Sequence, residues 1–559
     1  MILVPFANRI ASQRGLRSLF FITAALLSIV LIGYHFGTFD QNIHLPFLKA
    51  TADPALYPGD GLVALRDPPI SYFWHFFIPF YRWDILELAM FAVHVLATSM
   101  TFGAIWRLSQ TLFGDALAST LAVITFIFPH FGFLGFPVIE FSLLNRTFAL
   151  PCLLFAIDLY SRKRYAAAFL LLGLTVNLHP LSAGMVTAML LIPTWVEVRR
   201  IGLARLFQSA MAFLMGAAPI LWLWLNHPQP MDWSLRPEWL SVIARGVLTQ
   251  VLYPFAAIPF VLLLTLSGFS AVGLLLIARH KAPALAVDRP VSLMLITAGV
   301  IFAVGMFSAQ FLPLTVLIEM QLNRVSLFIF IFAYLYFAGY LARELRAQSL
   351  HSSSFALLAG TFVTNPLAIF PLGIWGWLRW LRPRRLHWGV VAGSMAGMLA
   401  VCITIAISMG VWQPGIHVFA PQTNWVEAQA WARQNTPRNA VFITPPEKGS
   451  LFEAEWRVFS ERSSVVSLYD LFEIALRPDY LEPWRERFEL LAPGAEGQFN
   501  GNYFESKALT RQAYYALTDQ EILQAARRFG AGYLVVEKPH SRDFPLLYEN
   551  DGFSIYKLP

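Results

Sequence analysis

The stretch RSLFFITAALLSIVLIGYHFGTFDQNIH, residues 17–44, decides how the chain is read. From Ser18 to Phe39 it contains no Asp, Glu, Lys or Arg. A helix needs about 20 apolar residues to cross the hydrocarbon core of a bilayer, so the run predicts a first membrane helix over about 18–38. Arg9, Arg14 and Arg17 precede it. Basic residues are retained on the cytoplasmic side, which puts the N-terminus inside and the far end of the helix outside. The apolar run is too long for the core of a cleaved signal, and no small-x-small cleavage pattern follows it. Asp40 is the first acidic residue of the chain and stands where this helix leaves the lipid. Partial desolvation there tunes the basicity of a carboxylate. An ordinary helix-end residue would occupy the same place, so the rest of the chain has to decide.

Of the 559 residues, 57% are hydrophobic and 13% charged, with a mean hydropathy of +0.56. A soluble domain carries about 25% charged residues. The expected fold class is a polytopic α-helical membrane protein of about 11–13 transmembrane helices, followed by a small C-terminal α/β soluble domain. The net charge of +7 sits in short loops between apolar runs. That is the positive-inside pattern, and it excludes nucleic acid as the partner of the basic residues. The two cysteines, Cys152 and Cys402, lie inside apolar runs and imply no disulfide framework.

Taken in order, the first helix opens into an outward loop over about 38–84. Its segments DPALYPGDGLV and RDPPISYFWHFFIPFY suit short helices at the membrane surface. Helices follow at about 85–106, 112–129, 141–160, 165–178, 182–197 and 206–225. A second outward loop covers about 226–256, and further helices are expected at about 257–278, 290–308 and 325–342. Residues 355–378 are apolar but interrupted by TNP and flanked by basic residues on both sides. A broken or re-entrant pair there, followed by a last helix over about 389–411, delivers the C-terminal region to the outside. A single crossing at 355–378 would leave it inside.

The transmembrane domain is thus expected over 1–411 and the soluble domain over 412–559, outside the membrane. In the latter, Trp425–Gln434 reads as a helix, AVFITPP, VVSLY and YLVVE as strands, and LLYENDGFSIYKL as a hairpin. Thr518 and Glu521 form a capping box before a helix stopped by Gly530. The alternation of helices and strands predicts a largely parallel sheet.

Polar groups beside the spans are the informative ones, because each is unfavourable in lipid. They are Asp40 and His44 in the first loop, Glu140, Asn145, Arg146 and Asp158 near one helix, His179 before Pro180, and Gln321, Asn323 and Arg324 at a late helix start. Asp158 is expected to be solvated at the inner end. Glu140 and Arg146 are six apart and do not share a helical turn. An outward arginine suits a lipid phosphate, with Arg324 the first candidate and Arg236 and Arg245 behind it. A carboxylate near the surface with outward Arg and His suits chemistry on a lipid-phosphate headgroup, the carboxylate as general base and the cations facing the departing phosphate. No zinc-protease, nucleophile-elbow or Cys-x-x-Cys spacing is present.

Together, Phe39-Asp40-Gln41 after the first helix, the DPALYPGDGLV segment, MQLNRVSLF and a soluble C-terminal part resemble the GT-C superfamily of polyprenyl-phosphate-sugar-dependent glycosyltransferases. The resemblance extends to bacterial members containing NTPRNAVFITPP, FSERSSVVS and GAGYLVVEK. It implies a bacterial inner-membrane enzyme that moves a sugar from a polyprenyl-phosphate donor to an acceptor at the outer face. Asp40 would be the catalytic base, and Gln41, His44, Asp60, His179, Arg245 and Arg324 would contact substrate. Many members pair two acids in the first loop; this chain has Asp40-Gln41, which leaves a divalent metal cofactor open, with Asp53, Asp60 and Asp67 as sources of a second acid and no metal ligand assigned. Arg457 and Arg462 are expected to be structural ion-pair residues rather than ligands. Membrane lipids and the lipid-linked donor are the implied partners; the acceptor is not identified. Two other readings compete: a transporter or lipid flippase, which needs a polar path through the bundle, and a non-catalytic scaffold on the same fold.

Overall fold

The computed structural model describes residues 3–247, 288–347 and 412–559, save Pro68, Phe131, Leu134, Gly135, Gln229, Pro230 and Leu451, with scattered residues of 269–279 and 397–410. The expected helices at 257–278 and 389–411 and the stretch 355–378 lie wholly or largely outside the described residues.

The chain starts with an amphipathic helix, α1 (Leu3–Ser12), and the apolar α2 (Arg14–Ile32). α2 stops six residues short of the expected end because Gly33 takes φ 98° and closes on the Ile29 carbonyl at 2.9 Å. A Cβ at Gly33 would stand 2.3 Å from the Gln413 carbonyl oxygen, so only glycine lets the two segments meet. Just beyond, β1 (Tyr34–His35) pairs in parallel with β2 (Ile416–His417). The end of the first long helix is thereby fastened to the start of the C-terminal region. Asp40 comes to lie on a half-buried turn leading into α3 (Gln41–Ala52) rather than at a bare helix end.

The helical part continues with α4 (Leu86–Phe113), α5 (Ala116–Ile127), α6 (Asn145–Ser161), α7 (Tyr165–Val176), α8 (Pro180–Val196) and α9 (Leu203–Asn226). After these come α10 (Pro237–Gly246), α11 (Asp288–Phe311) and α12 (Ser326–Arg346). Among the described residues, five stretches are long and apolar enough to cross a membrane: 14–32, 86–113, 203–226, 289–311 and 315–346. α5, α7 and α8 are shorter apolar helices. α12 is buried along nearly its whole length, which fits its apolar residues all round. α9 instead exposes Leu203, Phe207, Met211 and Leu214 along one stripe, and α11 exposes Ile296, Val300, Val304 and Phe307. Such continuous apolar stripes call for a non-aqueous neighbour.

α7 and α9 approach backbone to backbone. A Cβ on Gly173 would stand 2.2 Å from the Phe213 carbonyl oxygen, and one on Gly216 would stand 2.6 Å from that of Leu170. Asn177 seals the same crossing by donating to the Gly216 carbonyl and accepting from the Ile220 N–H. Near the other end of the bundle, Asp158 is fully buried rather than solvated. Thr111, Arg107 and Arg162 surround its carboxylate.

The C-terminal region is α/β. α13 (Asn424–Asn435) is capped by Thr423 and precedes β3 (Val441–Ile443), α14 (Trp456–Ser460) and β4 (Ser463–Ser464). Then come α15 (Leu471–Ile474), α16 (Leu481–Leu491), α17 (Tyr503–Ala516) and α18 (Asp519–Phe529). β5 (Tyr533–Glu537), β6 (Leu546–Glu549) and β7 (Phe553–Lys557) complete a sheet of order β4-β3-β5-β7-β6. The sheet is parallel across β4-β3-β5 and antiparallel across β5-β7-β6, so it is mixed rather than largely parallel. The strand expected at VVSLY is also displaced. Ser467 caps a short 3-10 turn at Leu468–Asp470, leaving only Ser463–Ser464 to pair. The Thr518–Glu521 capping box and the left-handed Gly530 stop are present as expected.

Both loops that flank the helical part dock on this region. Lys49 donates to the Val458 carbonyl and pairs with Glu461 at 2.9 Å. Arg457, fully buried, binds Asp60 and Asp470 and contacts Glu455. From the second loop, the Trp239 indole donates to the Ile474 carbonyl at 2.9 Å. The 38–84 segment, α10 and the C-terminal region therefore lie on one side of the helical bundle.

Candidate active site

The turn before α3 places Phe39 at φ 55°, a left-handed conformation that a non-glycine residue rarely adopts. Gln41 holds the turn: its amide oxygen accepts from the Gly37 N–H at 2.7 Å, and its amide nitrogen donates to the Leu143 carbonyl at 2.8 Å. This ties the turn to the irregular segment just before α6. Because α6 begins only at Asn145, Glu140 lies outside the helix and folds back over its first turn. Arg146 then reaches both carboxylates. Its Nη1 stands 2.5 Å from Asp40 Oδ2 and its Nε 2.5 Å from Glu140 Oε1, with the guanidinium 5.3 Å above the Phe39 ring. Sequence spacing had set Glu140 and Arg146 apart; the break in the helix brings them together.

Arg324 joins the cluster from the segment before α12. Its guanidinium lies 4.6 Å over the Phe136 ring and within electrostatic reach of Arg146, Asp40 and Glu140. His44 stacks on Trp74 at 4.8 Å. His179 accepts the Ser182 N–H on Nδ1, so its neutral ring carries the proton on Nε2. His179 lies within electrostatic reach of Arg324, Arg146 and His44.

Burial alone would raise the Asp40 carboxyl, but Arg146, then His44 and Arg324, outweigh it and hold it below the usual carboxylate range. At Glu140 burial wins over the pull of Arg146, and the carboxyl is pushed up. Burial pushes His44 down to about 4, with Asp40 pulling the other way and Arg146 adding to the fall. One guanidinium thus sits between an ionised carboxylate and a reluctant one, beside a neutral imidazole.

Other sequence candidates are placed elsewhere. Gln41 is fully buried with both amide atoms engaged, so it is a brace rather than a substrate contact. Asp60 is bound by Arg457 and by the N–H groups of Leu62, Val63 and Ser464, which engage both of its carboxylate oxygens. Arg245 turns to the Gly497 carbonyl and Glu496. Arg236 pairs with Asp232 and Asp479. Asp53 pairs with Arg438 and Asp67 with its neighbour Arg66. Arg457 is an ion-pair residue as expected, whereas Arg462 is held by the Arg433 and Thr436 carbonyls.

The C-terminal region contributes groups that sequence reasoning missed. Asn42 is gripped by the 450–455 segment, through the Ser450 and Glu453 carbonyls and the Glu455 N–H. Tyr469 and Glu473 come within electrostatic reach of Asp40. They stand more than 400 residues away in the chain, and nothing local in the sequence signals the meeting. Among the described residues no three His, Cys, Asp or Glu side chains are grouped to hold a metal ion. Asp40 and Glu140 do not fit a metal either, since Arg146 occupies both.

Residues 423–491 match the family described as a domain of unknown function, DUF6798. The matched stretch runs from the cap of α13 to the end of α16 and includes Arg457, Tyr469 and Glu473. No curated protein matches the chain.

Proposed function

We propose that the chain is a GT-C-type membrane glycosyltransferase. It moves a sugar from a polyprenyl-phosphate donor to an acceptor at the outer face of the bacterial inner membrane, with the N-terminus in the cytoplasm. The observation that supports this reading most is the cluster of Asp40, Arg146, Glu140 and Arg324, flanked by His44 and His179, between the helical bundle and the C-terminal region. When the bond between the anomeric carbon and the phosphate breaks, the phosphate gains negative charge. Arg324 and Arg146 are suited to face it. Asp40, kept ionised by Arg146, is suited to sit opposite the positive charge that develops on the sugar. The exposed apolar stripes of α9 and α11 suit a lipid surrounding.

Two measurements test this reading. In purified full-length protein, mass spectrometry of co-purifying lipids should find a polyprenyl phosphate or its glycosylated form in the wild type and not in Arg324→Ala. Only bulk phospholipid in both would count against the reading. Asp40→Asn should lower transfer by about 10²–10³-fold, the usual effect of losing a transition-state electrostatic contact, while the protein remains folded.

A further inference from the structure

Glu473 is the third residue of the short α15, between the Tyr469–Asp470 turn and α10. It is only 4% exposed, and its carboxylate makes no hydrogen bond or ion pair among the described residues. The other buried acids around it are bound. Asp60, Glu455 and Asp470 share Arg457, Glu461 has Lys49, and Asp40 and Glu140 share Arg146. Glu447 is also buried without a hydrogen bond, but it faces Arg511 at 3.6 Å and lies within reach of Lys448 and Lys507 rather than of Asp40. A carboxylate buried without a partner is unfavourable unless it is protonated or a ligand supplies the missing donor.

We propose that Glu473, carried by the C-terminal region, is the proton acceptor of the transfer, and that Asp40 is not. This inference rests on the transferase reading above. The acceptor hydroxyl oxygen bonds to the anomeric carbon, and the bond from that carbon to the phosphate oxygen breaks. Its electron pair leaves with the polyprenyl phosphate, and the hydroxyl proton passes to Glu473, which becomes neutral and later loses it to water. The negative charge lost at Glu473 reappears on the departing phosphate, which Arg146 and Arg324 face. Two observations assign the roles this way round. Asp40 is bound by a guanidinium at 2.5 Å, which weakens it as a base. Glu473, 4% exposed, meets no such guanidinium contact among the described residues, and burial, with Asp40 and Asp470 adding to it against the pull of Arg477, pushes it up to about 7, where a general base works best near neutral pH.

The test uses full-length protein in lipid nanodiscs, undecaprenyl-phosphate hexoses and pentoses as donors and a bacterial envelope extract as acceptor. Donor consumption is followed across pH for wild type, Glu473→Gln, Glu473→Asp and Asp40→Asn. Glu473→Gln should lower kcat by about 10²–10⁴-fold, leave the donor KM unchanged, hold the unfolding midpoint at or above that of the wild type, and lose the acid limb of the pH profile. Glu473→Asp should keep that limb, displaced along the pH axis, and it carries the test if the glutamine variant does not fold. A Glu473→Gln enzyme with the wild-type rate and acid limb, beside an inert Asp40→Asn, overturns the assignment and leaves the transferase reading standing. A wild type that consumes no donor overturns both.

Discussion

Arg146 and Asp40 are 106 positions apart in the chain, yet Arg146 Nη1 lies 2.5 Å from Asp40 Oδ2. The contact closes the first loop onto the start of α6, and the same guanidinium takes Glu140 on its other edge. The side chains of Arg146 and Asp40 are 14% and 15% exposed, so water screens the pair only weakly.

Removing the guanidinium should therefore be severe. Arg146→Met leaves two carboxylates facing each other with little solvent, and breaking a buried pair from one side costs about 3–5 kcal/mol. The unfolding midpoint in detergent should fall well below wild type, and Arg146→Lys should recover only part of the loss, because one ammonium cannot reproduce the fork.

Arg457 fastens the first loop to the C-terminal region. It is fully buried against Asp60, Glu455 and Asp470. Arg457→Met should cost about 3–5 kcal/mol for the same reason. The readout that separates it from Arg146→Met is limited proteolysis, with new cleavage between residues 53 and 84.

Glu455 supplies a pH dependence whose sign is fixed. Burial pushes its carboxyl from 4.5 up to about 7, against the pull of Arg457. The folded state holds that proton more tightly than the unfolded chain, so the contribution is complete below about pH 4.5 and is lost as pH rises through about 7. Glu455→Gln removes this titration. Its unfolding midpoint should gain on the wild type as pH is raised across that window, and parallel curves would contradict the placement.

The α7–α9 crossing tolerates no side chain. Gly173→Val or Gly216→Val must push apart backbones that a Cβ would approach to 2.2 and 2.6 Å. Both variants should show a large loss of monodisperse protein in gel filtration. Gly184→Ala, whose Cβ meets nothing within 4 Å, should behave as wild type.

Much of the architecture was legible because it is written in local patterns. The apolar runs located α9 and α11 to within about three residues and α2 and α4 to within about seven, since a membrane-length helix needs only composition. The Thr518–Glu521 box and Gly530 bounded α18, because a cap is satisfied by residues three or four apart. Asp40 and Arg324 were found because charge beside an apolar run is rare. The readings that changed were those in which a distant group outweighs the local pattern. Ser467 diverts VVSLY from the sheet by capping a turn that Trp484 holds from outside, and Asp60 is taken by an arginine from the far end of the chain.

The sequence by itself determined that this is a helical chain with membrane-length apolar segments and an α/β C-terminal part, because periodicity, charge and capping act over a few residues. Only the tertiary structure decided which acids share Arg146, which are spent on Arg457, and that Glu473, within electrostatic reach of Asp40, makes no hydrogen bond or ion pair among the described residues. Those outcomes depend on which loops dock together across hundreds of residues, and a side chain's partners in space leave no imprint on its neighbours in sequence.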